Sequence, residues 1–227
     1  AALHSHVKLS GFSPTKAMAL AHDLVRVSQG TSRTLPIRWP DKCYWFTPLT
    51  LHKYERLRFA SRKLCLNESD DGMAVLLCFA LSIRLCSRAD QRSPKPFISK
   101  HAIADRKCRH FDPYRMIPKL LGELGECYCK QSPNGSGRFV LADITSDTNL
   151  RRRIGVHSHV ITSPPYVNAQ DYFRNFKLEL YLLEDVLPFQ VDSLKERFIG
   201  TERGDLLAGI SQERIQDQRE RVPQMKA

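Results

Sequence analysis

The sequence predicts an α/β fold, an open sheet carrying a mainly helical insertion, and three observations predict it. Short apolar runs at 7–12, 138–143 and 160–162 each end in a polar corner. Amphipathic helical patterns follow two of those corners, after Ser13 and after Tyr166. Between Thr31 and Gly137 the character changes: "RTLPIRWPDKCYWF" gives way to helical periodicity, which the turn "SPNGSG" closes. In open α/β sheets ligands bind at the carboxyl ends of strands, which is where Ser13, Asp143 and Ser163 are expected to fall.

Taken in order, "AALHSH" reads as the end of a helix and "VKLSGF", Val7 to Phe12, as a short alternating strand. Ser13 and Pro14 then supply an N-cap and a first helical residue, and the helix should stop near Gly30. The chain is thus expected to begin inside the sheet, leaving it incomplete at the N-terminus. Residues 1–30 and 138–200 form the expected α/β core, 31–137 the helical insertion with a basic loop, and 201–227 a charged tail. Within the insertion, Thr47-Pro48 starts a helix with Leu51, Tyr54, Leu57, Ala60 and Leu64 on one face. A buried helix is expected over 73–88. Residues 93–115 read as a basic, proline-bearing loop. A third helix contains Ile117, Leu120, Leu121 and Leu124, with Pro118 best suited to its first turn. "RFVLADI" is a strand containing Asp143, and Val160 to Thr162 another. The last helix places Phe173, Phe176, Leu180, Leu183 and Leu187 on a core stripe, with Arg174 and Lys177 on a second stripe.

Thirty-five Lys and Arg against 24 Asp and Glu give a net charge of +11, which favours a polyanionic partner such as nucleic acid. Seven scattered cysteines suit reduced thiols in a cytoplasm, and Cys127-x-Cys129 without a partner pair does not make a zinc site, so no metal is expected. The longest apolar stretch, "MAVLLCFALSI", is far short of the ~20 residues of a membrane span. The first residues show no secretion signal.

The corner "TSPPY", Thr162 to Tyr166, holds the chemistry. Each proline fixes its φ and pushes the preceding residue towards extended geometry, and neither donates a backbone hydrogen bond. Ser163 and Pro164 therefore offer rigid carbonyl acceptors, Ser163 adds a hydroxyl, and Tyr166 an aromatic face. Such a site suits a planar group with an N–H donor, for instance the exocyclic amine of a nucleobase.

"VITSPPYVNAQDYFRNFKLELYLL" resembles the catalytic segment of S-adenosylmethionine-dependent DNA amino-methyltransferases, which carry a Ser/Asp/Asn-Pro-Pro-Tyr/Phe tetrapeptide. "RFVLADI", "KLSGFSPTKAMALA" and "RFIGTERG" are similar to other segments of that family. The resemblance implies a Rossmann-like methyltransferase sheet and a flipped base stacked on Tyr166, its amine held by Ser163 and the Pro164 carbonyl beside Pro165. It assigns S-adenosylmethionine contacts to Phe12, Ser13, Asp143 and Thr162. Serine at the first corner position favours cytosine N4 over adenine N6. Double-stranded DNA is the implied partner, with Lys100, Arg106, Lys107, Arg109, Arg174 and Lys177 as candidate contacts; Arg115 and Arg151 to Arg153 belong to the same basic set. Related corners serve RNA and protein-glutamine acceptors. The family's glycine-rich cofactor loop does not occur in these 227 residues, and no acidic residue closes the 7–12 run. A further chain segment or subunit is then expected to supply the loop, or the chain is a catalytically inactive methyltransferase-like DNA-binding or partner subunit of a restriction or defence assembly.

Overall fold

The computed structural model describes residues 2–93, 95–108, 111–130, 155 and 172–197. The regular elements among these residues are helices. Among them there is no strand, only an isolated parallel bridge between Glu184 and Leu187, so the predicted α/β open sheet is not seen. The two further expected strands, with Asp143 and Thr162, lie outside the described residues, as does the 201–227 tail.

The run read as a first strand belongs to helix α1, Ala2–Ser10. Val7 and Leu9 alternate, yet only Val7 is buried; Leu9 faces solvent. The spacing that decides is Leu3 to Val7, four residues apart on one helical face, which packs against the core. Gly11 ends the element at φ +79, and a Cβ there would sit 2.7 Å from the Tyr128 hydroxyl.

Helix α2, Pro14–Gly30, has Ser13 as N-cap in extended geometry and buries Ala17, Ala21, Leu24 and Ser28. A four-residue turn, α3 (Lys42–Trp45), leads to α4, Pro48–Lys63, where Thr47 Oγ1 accepts from Thr50 N at 3.2 Å. A 3-10 turn over Leu66–Glu68 precedes α5, Asp70–Cys86, capped by Ser69, with Asp70 and Asp71 complementing the positive end of the helix. Ala74, Val75, Leu76, Leu77, Cys78, Phe79, Ser82, Ile83 and Cys86 are all buried, making α5 the central helix. The region read as a basic loop contains two helical starts. Ser99 Oγ accepts from Ala102 N at 3.0 Å and opens α6, Lys100–Cys108. Asp112 Oδ1 accepts from Tyr114 N at 3.1 Å and opens α7, Pro113–Lys130. The first-turn proline of α7 is therefore Pro113, and Pro118 lies inside the helix.

Helices α8 (Tyr172–Asn175) and α9 (Lys177–Leu183), then α10 (Val191–Arg197), complete the described chain. Helices α1, α2, α7 and α9 lie against α5, and α2 also touches α4 and α7. The described residues of 2–30 share one hydrophobic core with those of the 31–130 region and with α9.

Candidate functional site

The segment that leaves the corner is the part of the candidate site that the structure describes. Tyr172 begins α8, and Phe176, with φ −107 and ψ 16, breaks the helix before α9. That break shifts the phase of the apolar stripe. Leu178, Leu182 and Leu183 are buried, while Phe176, expected in the core, is 47% exposed. A single uninterrupted helix would have put Phe176 and Leu180 inward; the turn at Phe176 brings other positions to the core.

Four side chains from the 31–92 region hold this segment. At its start, the Arg84 guanidinium donates to the carbonyl of Asn175 at 3.4 Å and also to the carbonyl of Ser93. Just past the break, Lys177 Nζ lies 3.5 Å from Asp41 Oδ2 and 5.3 Å from the centre of the Trp39 ring. Trp39 itself stacks on Tyr181, centroids 4.8 Å apart and planes 4° from parallel. At the far end, Arg58, fully buried, donates through Nη2 to the Glu184 carbonyl at 2.5 Å, with Asp185 Oδ2 at 3.6 Å. Its Nη1 binds the carbonyls of Leu35 and Pro36, so one guanidinium joins the 35–36 backbone to the end of α9. Asp185 lies in the left-handed region at φ +64, a turn that the Arg58 contacts and the Glu184 Oε1 bond from Val191 N secure.

Burial governs the titrating groups around this joint. Glu179, on α9, has its carboxyl raised by burial, partly offset by its own backbone hydrogen bond and by the Arg84 charge. Its Oε2 and the Asn175 Oδ1 one turn earlier are buried with no hydrogen-bond partner. Burial lowers Arg58, opposed by Asp185 and Glu184. Burial also raises the Tyr54 hydroxyl, which lies 3.1 Å from Ser82 Oγ.

The two described cofactor candidates do other work. Phe12 is buried with its ring 4.8 Å from that of Tyr128. Ser13 Oγ caps α2, accepting from Lys16 N at 3.5 Å, and Ser13 N donates to Asp71 Oδ1 at 2.6 Å. Phe12 is thus given to packing and Ser13, half-buried, to capping α2 and meeting Asp71. Ser13 also sits at the first turn of α5, whereas the segment leaving the corner is held at its last turn. Asp71 and Arg84 are thirteen residues apart on that helix, roughly 20 Å at 1.5 Å per residue.

Ser163, Pro164, Pro165, Tyr166, Asp143, Thr162, Arg109 and Arg151 to Arg153 lie outside the described residues. Lys100 is exposed at the start of α6, and the backbones of Arg106 and Lys107 lie on the same helix. Arg115 and Arg174 are exposed, and Lys177 is partly buried against Trp39 and Asp41. Sequence reasoning did not single out Arg58, Arg84 or Trp39; nothing in a lone sequence marks an arginine that binds a carbonyl about a hundred residues away.

An open groove of about 610 Å³ runs between α2 and α7, lined by Pro14, Met18, Leu121, Gly122 and Gly125 with Glu126 and Lys130 among its polar residues. No three His, Cys, Asp or Glu side chains gather to suit a metal among the described residues. No helix among them is long and apolar enough to cross a membrane. No family model, no curated protein and no solved structure matches the chain.

Proposed function

We propose that this chain forms the base-accepting side of a site-specific DNA amino-methyltransferase, acting on an exocyclic amine of a flipped base, cytosine N4 in preference to adenine N6. The observation that carries the reading is the continuity of Ser163-Pro164-Pro165-Tyr166 with a helical segment that four side chains of the 31–92 region hold in place. In this reading the Ser163 hydroxyl and the Pro164 carbonyl accept hydrogen bonds from the amine, and Tyr166 stacks on the base. Orientation of the amine is their contribution to the rate. S-adenosylmethionine is the methyl donor in the proposal. Phe12 is taken up by packing and Ser13 by capping, so in this reading its binding draws on further residues, including a further segment or subunit with a glycine-rich loop. The exposed thiols Cys43, Cys65, Cys127 and Cys129 suit a reducing compartment, the cytoplasm in this reading.

A second reading, a catalytically inactive DNA-binding or partner subunit of a restriction or defence assembly, is favoured by that same commitment of Phe12 and Ser13. The two separate in one experiment on the full-length protein: calorimetric titration with S-adenosylmethionine, then methyl transfer to duplex DNA. The enzyme reading expects binding, transfer, and a loss of at least about tenfold in kcat for Ser163→Ala and Tyr166→Ala. DNA binding without cofactor binding establishes the second reading and removes the first.

A further inference from the structure

We propose that the face around the C-terminal end of α5 binds an unpaired DNA strand, with bases laid on Tyr44, Phe97 and Phe176 and phosphates met by the cations among them. The proposal goes beyond the methyltransferase reading, since holding a strand needs neither cofactor nor methyl transfer. Among the described residues the exposed aromatic side chains are Tyr44 at 58%, Phe97 at 46% and Phe176 at 47%. Apolar residues exposed singly are ordinary, whereas rings gathered on adjoining segments mark an interaction surface. These three come from segments far apart in sequence that meet at one end of a single helix.

The last turn of α5 and the loop after it bring them there. Arg88 N donates to the Trp45 carbonyl at 2.7 Å, and the Arg88 guanidinium to the carbonyls of Cys43 and Tyr44 at 3.4 Å. One turn earlier, Arg84 donates to the carbonyl of Asn175, the residue before Phe176, at 3.4 Å and to that of Ser93. Asp90 N donates to the Phe97 carbonyl at 2.8 Å. Lys177, next to Phe176, pairs with Asp41, just ahead of α3. The Tyr44 ring is set at 88° against that of the buried Trp45, centroids 4.9 Å apart.

The charge of this face and its rings together choose the occupant. Segments 41–45, 84–100 and 174–177 carry eight Lys and Arg against two acids, Asp41 and Asp90. Both acids are paired, Asp41 with Lys177 and Asp90 with Arg92 and the Ser99 hydroxyl. A polyanion is therefore the complementary partner. A duplex keeps the faces of its bases hidden in the stack, and an acidic peptide brings carboxylates to the cations but no planar face for each ring. An unpaired strand brings both, and base-to-ring stacking works for any base. The polar side chains that would read a 2′-hydroxyl are engaged within the face itself. Ser87 Oγ donates to the Arg84 carbonyl at 2.8 Å, Gln91 Nε2 to the same carbonyl at 2.7 Å, and the Ser99 hydroxyl to Asp90. The strand is accordingly DNA in preference to RNA.

The test is fluorescence anisotropy of the full-length protein with a labelled oligodeoxythymidine strand of about 15 nucleotides, near the upper span of such sites. Phe97→Ala and Phe176→Ala should each weaken binding about fivefold or more. Phe97→Tyr and Phe176→Tyr, which keep the ring, should bind as wild type does. Phe97→Leu and Phe176→Leu, which keep apolar bulk without a ring, should behave as the alanine variants do, and they decide if those do not fold by circular dichroism. Lys100→Ala and Arg174→Ala should each lower the slope of log K against log salt by about 0.7, the value for a single strand. Unchanged affinity in the leucine variants overturns the proposal, as do unchanged slopes in both cation variants. Displacement of the strand by polyglutamate as readily as by unlabelled strand overturns it in favour of an acidic protein partner. Equal displacement by duplex overturns it in favour of plain phosphate binding, and tighter binding of oligouridine than of oligodeoxythymidine in favour of RNA.

Discussion

Glu179 keeps a carboxyl oxygen buried without a hydrogen-bond partner, and its behaviour with pH comes from that burial. Burial raises its pKa from the ordinary 4.5. A group raised in the folded state binds its proton more tightly there than in the unfolded chain. Its contribution to stability is therefore full below the unfolded value and is lost as pH rises through the folded one. Glu179→Gln should be more stable than wild type near neutral pH, with the advantage shrinking as pH falls towards 4.5 and below. Urea unfolding of both proteins across that range checks it; parallel curves would mean that the carboxyl is solvated after all. Gly72 makes a second prediction at this scale. A Cβ there would lie 2.1 Å from the Leu66 carbonyl oxygen, which is backbone and cannot turn aside. Gly72→Ala should cost about 1–3 kcal/mol in the same assay, as overpacking of a close contact does. Ser13 and Phe12 show how far a single residue can be read from sequence. The capping role of Ser13 was legible from Ser-Pro ahead of a periodic run, whereas the partner of Phe12, Tyr128, is set by a helix about a hundred residues away.

Among the elements, those with a cap and a long apolar period were legible: α2 from Ser13-Pro14, α4 from Thr47-Pro48, and α5 from its apolar run. Asp112-Pro113 is the same kind of signal, and the basic character of 93–115 masked it. The Asp112 carboxylate both caps α7 and pairs with Lys53 Nζ at 2.7 Å. Asp112→Ala should therefore lose about 1 kcal/mol or more, a typical N-cap cost plus that of the partly buried pair. Denaturant unfolding measures the loss, and Asp112→Asn should retain the cap share and lose the rest. The α1 error has a physical source too: in a short apolar run, alternation and an i, i+4 pair both fit Leu3, Val7 and Leu9, and the packing surface chooses between them. Likewise the carbonyl of Asn175, just before the break at Phe176, is met by Arg84, a contact from outside its own segment.

At the scale of the molecule, the +11 charge is the broadest functional signal. The proposed binding of duplex DNA is expected to weaken steeply with salt, each lost phosphate contact lowering the slope of log K against log salt by about 0.9. Lys100 and Arg174, both exposed, are expected to show that change on conversion to Ala. Lys177, engaged with Asp41 and Trp39, should change the slope less and instead weaken the docking of α9. Filter binding over a salt series measures the slope, and equal slopes in wild type and both single variants would remove these cations from the interface. Of the candidate site, the "TSPPY" corner and the amphipathic character of residues 172–187 were visible in sequence, because rigid prolines and periodicity are local properties. The packing partners of Phe12 and Ser13 were not, since they are supplied by distant segments.

Helix caps and the positive charge are set by composition and by neighbours a few residues apart, and both could be read from the chain alone. Packing between distant segments was needed to make residues 2–10 helical and to commit Phe12 to a packing role. The same packing brought Arg58 and Arg84 to the segment leaving the corner. The reason is the range of the interactions: a cap is satisfied within one turn, whereas the burial of an apolar face and the carbonyls that a buried guanidinium must find are supplied by chain far away in sequence.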